Sequence, residues 1–273
     1  MKIPFTKMHG LGNDYIYIDG FKTPVEALPD PATLAVRLSA RHFSVGSDGL
    51  VLILPSDVAH ARMRMFNADG SEGLMCGNAI RCVGKYLYDR GVVSPDTRTL
   101  TVETASGIKT LTLTVEAGVV TLVTVDMGEA LVASGERVVS AEGKDYSLIS
   151  VSVGNPHAVA FVESMTDGEI YVAGALLSES QPGGVNVELA KVWDKTHIHM
   201  RVYERGSGVT LACGTGACAT VAAAVDRGLC KADTPVTVSL NGGELIITRT
   251  SEGRLFMTGP ATTVFDGVAE IEA

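Results

Sequence analysis

No part of this 273-residue sequence gathers basic side chains with interleaved aromatics. With 22 Lys and Arg against 31 Asp and Glu, the formal charge is −9, which excludes the electrostatic footprint of a nucleic-acid binder. Long apolar runs are missing too. The longest, LVLIL at 50–54 and VAAAV at 221–225, fall far short of the ~20 residues that span a bilayer. The opening MKIPFTKMHG has no apolar stretch of signal-peptide length, so a cytoplasmic protein without membrane attachment is expected. The five cysteines are odd in number, lack framework spacing and include no Cys-x-x-Cys. That excludes a disulfide scaffold and disfavours a dithiol redox centre, and a reducing compartment keeps all five as thiols. Metal binding is not expected either, because the Cys76/Cys82 and Cys213/Cys218 offsets do not bring two sulfurs onto one helical face. HGLGND at 9–14 is glycine-rich but is neither a dinucleotide fingerprint nor a phosphate loop. No lysine stands out as a Schiff-base residue for pyridoxal phosphate. Small molecules remain as the expected partners.

The chain is long enough for a sizeable core and, at roughly 100–200 residues per domain, for two domains. It also repeats itself. Laying 213–234 on 76–97 at an offset of 137 gives seven identities in 22 ungapped positions, among them Cys76 with Cys213, Gly77 with Gly214, and both DRG triplets. Further out the register slips, yet GLGNDYIYID at 10–19 resembles VGNPHAVAFV at 153–162. Two copies mean a duplicated domain rather than a solenoid.

After Cys76, apolar residues Ile80, Val83 and Leu87 recur at helical spacing up to a capping Gly91. The partner run ACATVAAAVDRG is small-residue-rich, as suits a helix packed on several sides. RTLTVET, KTLTLTV, VVTLVTV, TVSLNG and ELIITRT alternate as strands do. Each half therefore reads as one helix and several strands. The expected fold is α+β: two pseudo-symmetric modules, each a central helix wrapped by a mostly antiparallel twisted sheet, with the active site in the cleft between them. The first module is placed at 1–120 plus 262–273 and the second at 121–261.

A cysteine directly before a helix has a bland explanation in tight packing, since unpaired cysteines are among the most buried residues. Recurrence at equivalent places of both repeats, each time followed by Gly, is not something packing requires. Unpaired first-turn N–H groups and the positive end of the helix dipole favour a thiolate there, taking its pKa below roughly 8.5. The same N–H groups hold a carboxylate, and Asn78 and Thr215 add side-chain donors. Two such half-sites suit removal of a proton from one face of a carbon acid and its return on the other. That is racemase or epimerase chemistry without a cofactor.

The pieces KMHGLGNDY, RHFSVGSDGL, FNADGSEGLMCGNAIRC, VGNPHAV, GGVNVEL, RVYERGSGVTLACGTGACA and GPATTVFDG, in this order, resemble the diaminopimelate epimerase family along nearly the whole chain. The resemblance implies interconversion of LL- and meso-2,6-diaminopimelate for lysine and peptidoglycan synthesis, with neither pyridoxal phosphate nor metal. It makes Cys76 and Cys213 the acid/base pair, and Gly77, Asn78, Gly214 and Thr215 the holes for the reacting carboxylate. Asn13, Asn67, Asn155, Asn186, Glu204 and Arg205 match residues that grip the substrate. His157 and Glu204 match positions that tune the cysteines. Asp69, Ser71 and Glu72 are expected to build the loop and cap the helix. The chain departs from the family in two places. Gly49 stands where many members have Gln, so one distal contact is absent or supplied otherwise. Phe265 stands where some relatives place Tyr at a dimer contact, and a homodimer is expected on the resemblance alone.

Overall fold

The structure is a computed structural model and describes residues 1–271. Residues 272 and 273, the end of the segment assigned above to the first module, lie outside the described residues. The chain divides into two compact units, Met1–Val125 with Gly259–Ala273, and Asp126–Thr258.

In the first unit the elements run β1 (Lys2–Gly10), β2 (Asn13–Asp19), α1 (Pro31–Ser39), β3 (Gly49–Leu54), β4 (Ala61–Asn67), β5 (Glu72–Gly73), α2 (Gly77–Asp89), β6 (Thr99–Thr104), β7 (Gly107–Glu116) and β8 (Val119–Glu129). Strands β1 and β2 pair antiparallel, β2 and β3 parallel, β3 and β4 antiparallel, β4 and β6 parallel, and β6–β7–β8 antiparallel. The run from 77 to 88 is buried throughout, so α2 is a core helix rather than a surface one. Its close fit needs Gly84, where a Cβ would lie 2.8 Å from Leu111 Cδ2. Gly91, at φ +68°, ends the helix and donates to Tyr88 O.

The second unit repeats this plan. It contains β9 (Leu131–Ala141), β10 (Lys144–Ser152), β11 (Pro156–Phe161), α3 (Glu169–Glu179), β12 (Asn186–Asp194), β13 (His197–Glu204), β14 (Gly208–Val209), α4 (Gly214–Asp226), β15 (Val236–Leu240), β16 (Gly243–Arg249) and most of β17 (Arg254–Pro260), whose last two residues belong to the first unit. From β9 to β17 the pairings are antiparallel, antiparallel, parallel at β11–β12, antiparallel, parallel at β13–β15, and antiparallel twice. Strand β18 (Thr262–Glu270) completes the first unit by pairing antiparallel with β1. It takes the place there that β9 takes beside β10. The first unit thus borrows one strand from the far end of the chain.

One expectation needs correction. Each unit carries a second helix, not one. Asp30 caps α1 by accepting from Thr33 N at 3.0 Å, and Pro31 occupies the first turn. Leu34, Ala35 and Leu38 then pack on Ile16, Ile18, Leu50 and Leu52. In the same way α3 lays Ile170, Ala173 and Leu177 on Leu148, Ala158, Val187 and Leu189. These helices have an outward face, so their apolar pattern is diluted. Among the described residues no helix is long and apolar enough to cross a membrane.

Candidate functional site

Cys76 and Cys213 are the N-cap residues of α2 and α4, and all five cysteines stand as thiols. The loop before α2 is built as expected but does not cap the helix. Asp69 accepts from Ser71 N and Oγ at 2.9 and 2.6 Å, while Glu72 pairs with Arg64 at 2.7 Å. Those side chains are spent on the loop, and the capping position itself is the cysteine.

Around Cys76 the first unit assembles a set of amides. The Cys76 thiol donates to Asn13 Oδ1 at 3.4 Å, and Asn78 Nδ2 donates to the same oxygen at 3.4 Å. Asn13 is fixed from behind, its Nδ2 donating to Asp48 Oδ2 at 2.8 Å. Arg81, fully buried in α2, donates to Gly77 O and to Asn78 Oδ1, each at 3.0 Å, and to Pro260 O at 3.2 Å. This guanidinium brings a positive charge beneath the first turn of the helix. Asn67 stands apart on the exposed end of β4, donating to Ser71 Oγ at 2.9 Å.

Gly49 has a steric cause. A Cβ there would lie 2.1 Å from Phe66 O and 2.8 Å from the Tyr15 ring, so no longer side chain fits and the position offers no contact of its own. Tyr15, which the sequence analysis did not single out, stands in the repeat where His157 does. Its pKa is pushed well up, chiefly by burial and then by the charge of Cys76.

The second unit surrounds its thiol differently. Cys213 Sγ accepts from Gly216 N at 3.3 Å and lies 3.5 Å from Thr215 Oγ1, which accepts from Asn155 Nδ2 at 3.3 Å. Asn155 Oδ1 is 3.0 Å from His157 Nε2, and His157 Nδ1 is 2.7 Å from Glu188 Oε1. Both side chains of that last pair are fully buried. Glu204 accepts from the Thr210 hydroxyl and acts electrostatically on Cys213. Burial pushes the Glu204 carboxyl above its ordinary range. Asn186 Oδ1 accepts from Arg205 N at 2.9 Å, and the exposed Arg205 guanidinium reaches Gly183 O at 3.4 Å.

The expectation that a helix start lowers both thiol pKa values fails at Cys213. Burial raises that thiol well above the usual range, and the charges of Glu204 and Glu188 add to it, against the lesser pull of Thr215 and the Gly216 N–H. Burial, with the two carboxyl groups adding to it, outweighs the helix terminus. Glu188 is the residue that the sequence analysis missed. It sits in an apolar strand, and only the strand pairing His157↔Asn186 places it behind His157. Among the described residues no group of three or more His, Cys, Asp or Glu is arranged to hold a metal ion.

The family profile described as Diaminopimelate epimerase matches residues 5–132 and 149–264. A diaminopimelate epimerase of Methanococcus maripaludis is 49% identical over 282 aligned residues, covering 98% of this chain and 99% of its own. Another, of Acetivibrio thermocellus, is 47% identical and covers 98% of each chain. Among solved structures, a hydroxyproline epimerase from Agrobacterium vitis with bound trans-4-hydroxy-L-proline superposes with a TM-score of 0.74 at 18% identity, over 98% of this chain and 92% of that one. That likeness is one of fold.

Proposed function

The chain belongs to the diaminopimelate epimerase family, and from that premise we propose that it interconverts LL- and meso-2,6-diaminopimelate by a cofactor-independent route, with Cys76 and Cys213 as the two bases. The observation that carries the assignment is the placement of one thiol at the N-cap of the buried helix in each repeated unit. The reaction requires the two half-sites to meet opposite faces of one α-carbon.

In one direction Cys76 as thiolate takes the α-proton. The C–H bond breaks, an S–H bond forms, and the electron pair moves into the α-carboxylate. Cys213 then gives its thiol proton to the other face, leaving that sulfur as the thiolate, and the reverse reaction exchanges the roles. This order is supported by burial and then the carboxyl groups of Glu204 and Glu188, which keep Cys213 protonated, and by the Arg81 charge beneath the helix that Cys76 caps. First-turn N–H groups at Gly77 and Asn78, and at Gly214 and Thr215, hold the carboxylate as charge builds on it. Each well-aimed donor is worth on the order of 3 kcal/mol.

Asn13 and Asn155 line the reacting end. Asn67, Asn186 and Arg205 take the distal end, as suits a guanidinium for a carboxylate, and Glu204, beside Cys213, takes a substrate ammonium. His157 and Glu204 tune the second thiol. The product serves lysine and peptidoglycan synthesis. The cytoplasm is the setting, because its reducing poise keeps both working cysteines as thiols. The protein acts as a homodimer, supported by the exposed apolar residues Val264, Phe265 and Val268 of β18. Light scattering that gives a monomer mass would remove that last element alone.

Incubation of the purified protein with LL-diaminopimelate in D₂O, with no added cofactor, tests the whole reading. Meso product carrying one α-deuterium is expected. Meso product without deuterium would exclude a two-base route, and no turnover of diaminopimelate alongside turnover of proline would reassign the substrate.

A further inference from the structure

Glu188 lies behind the second half-site with a fully buried side chain, flanked on β12 by Val187 and Leu189, which are buried as completely. Its Oε1 meets His157 Nδ1 at 2.7 Å, and its Oε2 has no hydrogen-bond partner among the described residues. Leaving a carboxyl oxygen dry and unpaired is costly. Val or Leu at this position would remove that cost, so packing does not explain the residue.

The hydrogen bonds explain it. Asn155 gives its amide N–H to Thr215, so its oxygen faces His157 Nε2, which must carry a hydrogen to donate. The contact from His157 Nδ1 to Glu188 then holds a second proton. Without a partner at Nδ1 the imidazole is free to take its other tautomer. It would then present a lone pair to Asn155, and the amide would turn away from Thr215.

We propose that Glu188 is a positioning residue: acting through His157, its carboxyl group fixes the Asn155 amide and with it the Thr215 hydroxyl beside Cys213. The inference rests on the epimerase reading above. Gly216 is part of the same device, since a Cβ there would lie 2.6 Å from Glu188 Oε1. Cys213 is faced by Glu204 from β13, by Glu188 from β12 and by Thr215 from α4, and His157 of β11 in turn acts on Glu204. Removing the Glu188 charge therefore also makes the Cys213 thiol more acidic.

The test compares Glu188→Gln and Glu188→Leu with the wild-type enzyme on LL-diaminopimelate across pH. Gln donates to His157 Nδ1 and preserves the relay, so its KM stays within about twofold of wild type, whereas Leu breaks the relay and raises KM about tenfold or more. In both variants the basic limb of kcat/KM moves to lower pH. Histidine ¹⁵N NMR of the wild-type protein is the arm that needs no variant, with a protonated, hydrogen-bonded His157 Nε2 expected. An unprotonated Nε2, an unchanged KM in Glu188→Leu, or an unmoved basic limb in Glu188→Gln overturns the proposal. A wild-type enzyme inactive on diaminopimelate would instead remove the epimerase reading, so the two failures are distinct.

Discussion

Cys76 and Cys213 cap their helices with nearly the same backbone, φ −129° and ψ 122° against φ −123° and ψ 111°. Each is in the extended region, and each precedes a buried Gly that opens the helix. The same local fold thus presents two sulfurs in one way while their surroundings differ in charge. Replacing either by Ala removes one of the two proton carriers, and general acid–base catalysis of this kind contributes roughly 10²–10⁴-fold. Cys76→Ala and Cys213→Ala should each lower epimerisation of LL-diaminopimelate by at least that factor, measured by chiral chromatography of the product. Turnover close to wild type in either variant would dismiss the two-base assignment.

The charge difference predicts a difference in reactivity. Cys213 is held as the thiol by burial, Glu204 and Glu188. Its thiolate, the species that alkylates, therefore appears only well above the usual thiol range. Iodoacetamide at pH 8 should label Cys76 first, and labelling of Cys213 should begin only as pH rises much further, as read from peptide masses. Glu204→Gln should bring Cys213 labelling to lower pH. The sign for stability follows, because the folded pKa is raised above the unfolded one. The contribution of this group is complete below the unfolded thiol's pKa and is lost as pH climbs through the folded value. Equal labelling rates for both cysteines at pH 8 would count against the electrostatic account.

The sequence makes the two core helices legible because burial on all sides leaves a dense signal: a helical apolar spacing in α2, a string of small residues in α4, and Gly91 or Gly228 just past the end. The strands with one buried face, such as β6, β7 and β16, alternate in the manner that face requires. Helices α1 and α3 escape because half their surface meets solvent, although Asp30-Pro31 is a legitimate start signal. Glu188 escapes for another reason. It reads as one polar residue in NVELA, and its function depends on β11 lying parallel beside β12, a pairing between strands 31 residues apart at His157 and Glu188.

Gly216 makes a prediction in which stability and activity part company. Ala is worth ~1 kcal/mol over Gly within a helix. Here its methyl carbon would meet Glu188 Oε1 at 2.6 Å and Cys213 Cβ and Sγ at 3.3 Å. The carboxyl group is pinned by His157 and cannot swing clear, and overpacking of this sort costs ~1–3 kcal/mol. The two effects largely offset each other, so Gly216→Ala should melt within a few degrees of wild type. Activity should nonetheless fall about tenfold or more, because the relay to Asn155 and the sulfur itself are displaced. A variant with unchanged kcat and KM would show that the first turn of α4 has room for a methyl group.

Arg81 and Arg90 lie on one helix and its cap, yet they should answer to mutation very differently. Arg81 is wholly buried and donates to Gly77 O, Asn78 Oδ1 and Pro260 O. Arg90 pairs with Asp266 at 2.7 Å on the surface, with both side chains partly in water. Lysine has a single charged nitrogen and cannot span three acceptors set around a planar fork. Hydrogen bonds to charged groups are worth ~1.5–3 kcal/mol each, so Arg81→Lys, losing two, should cost about 3–6 kcal/mol. Arg90→Lys should cost under about 1 kcal/mol, as exposed pairs do. Urea unfolding with an unchanged slope measures both. Arg81→Lys should also lose activity at temperatures where it remains folded, because Asn78 is then no longer held toward Asn13 and Cys76. Similar midpoints for the two variants would mean that Arg81 is better replaced by lysine than its three acceptors allow.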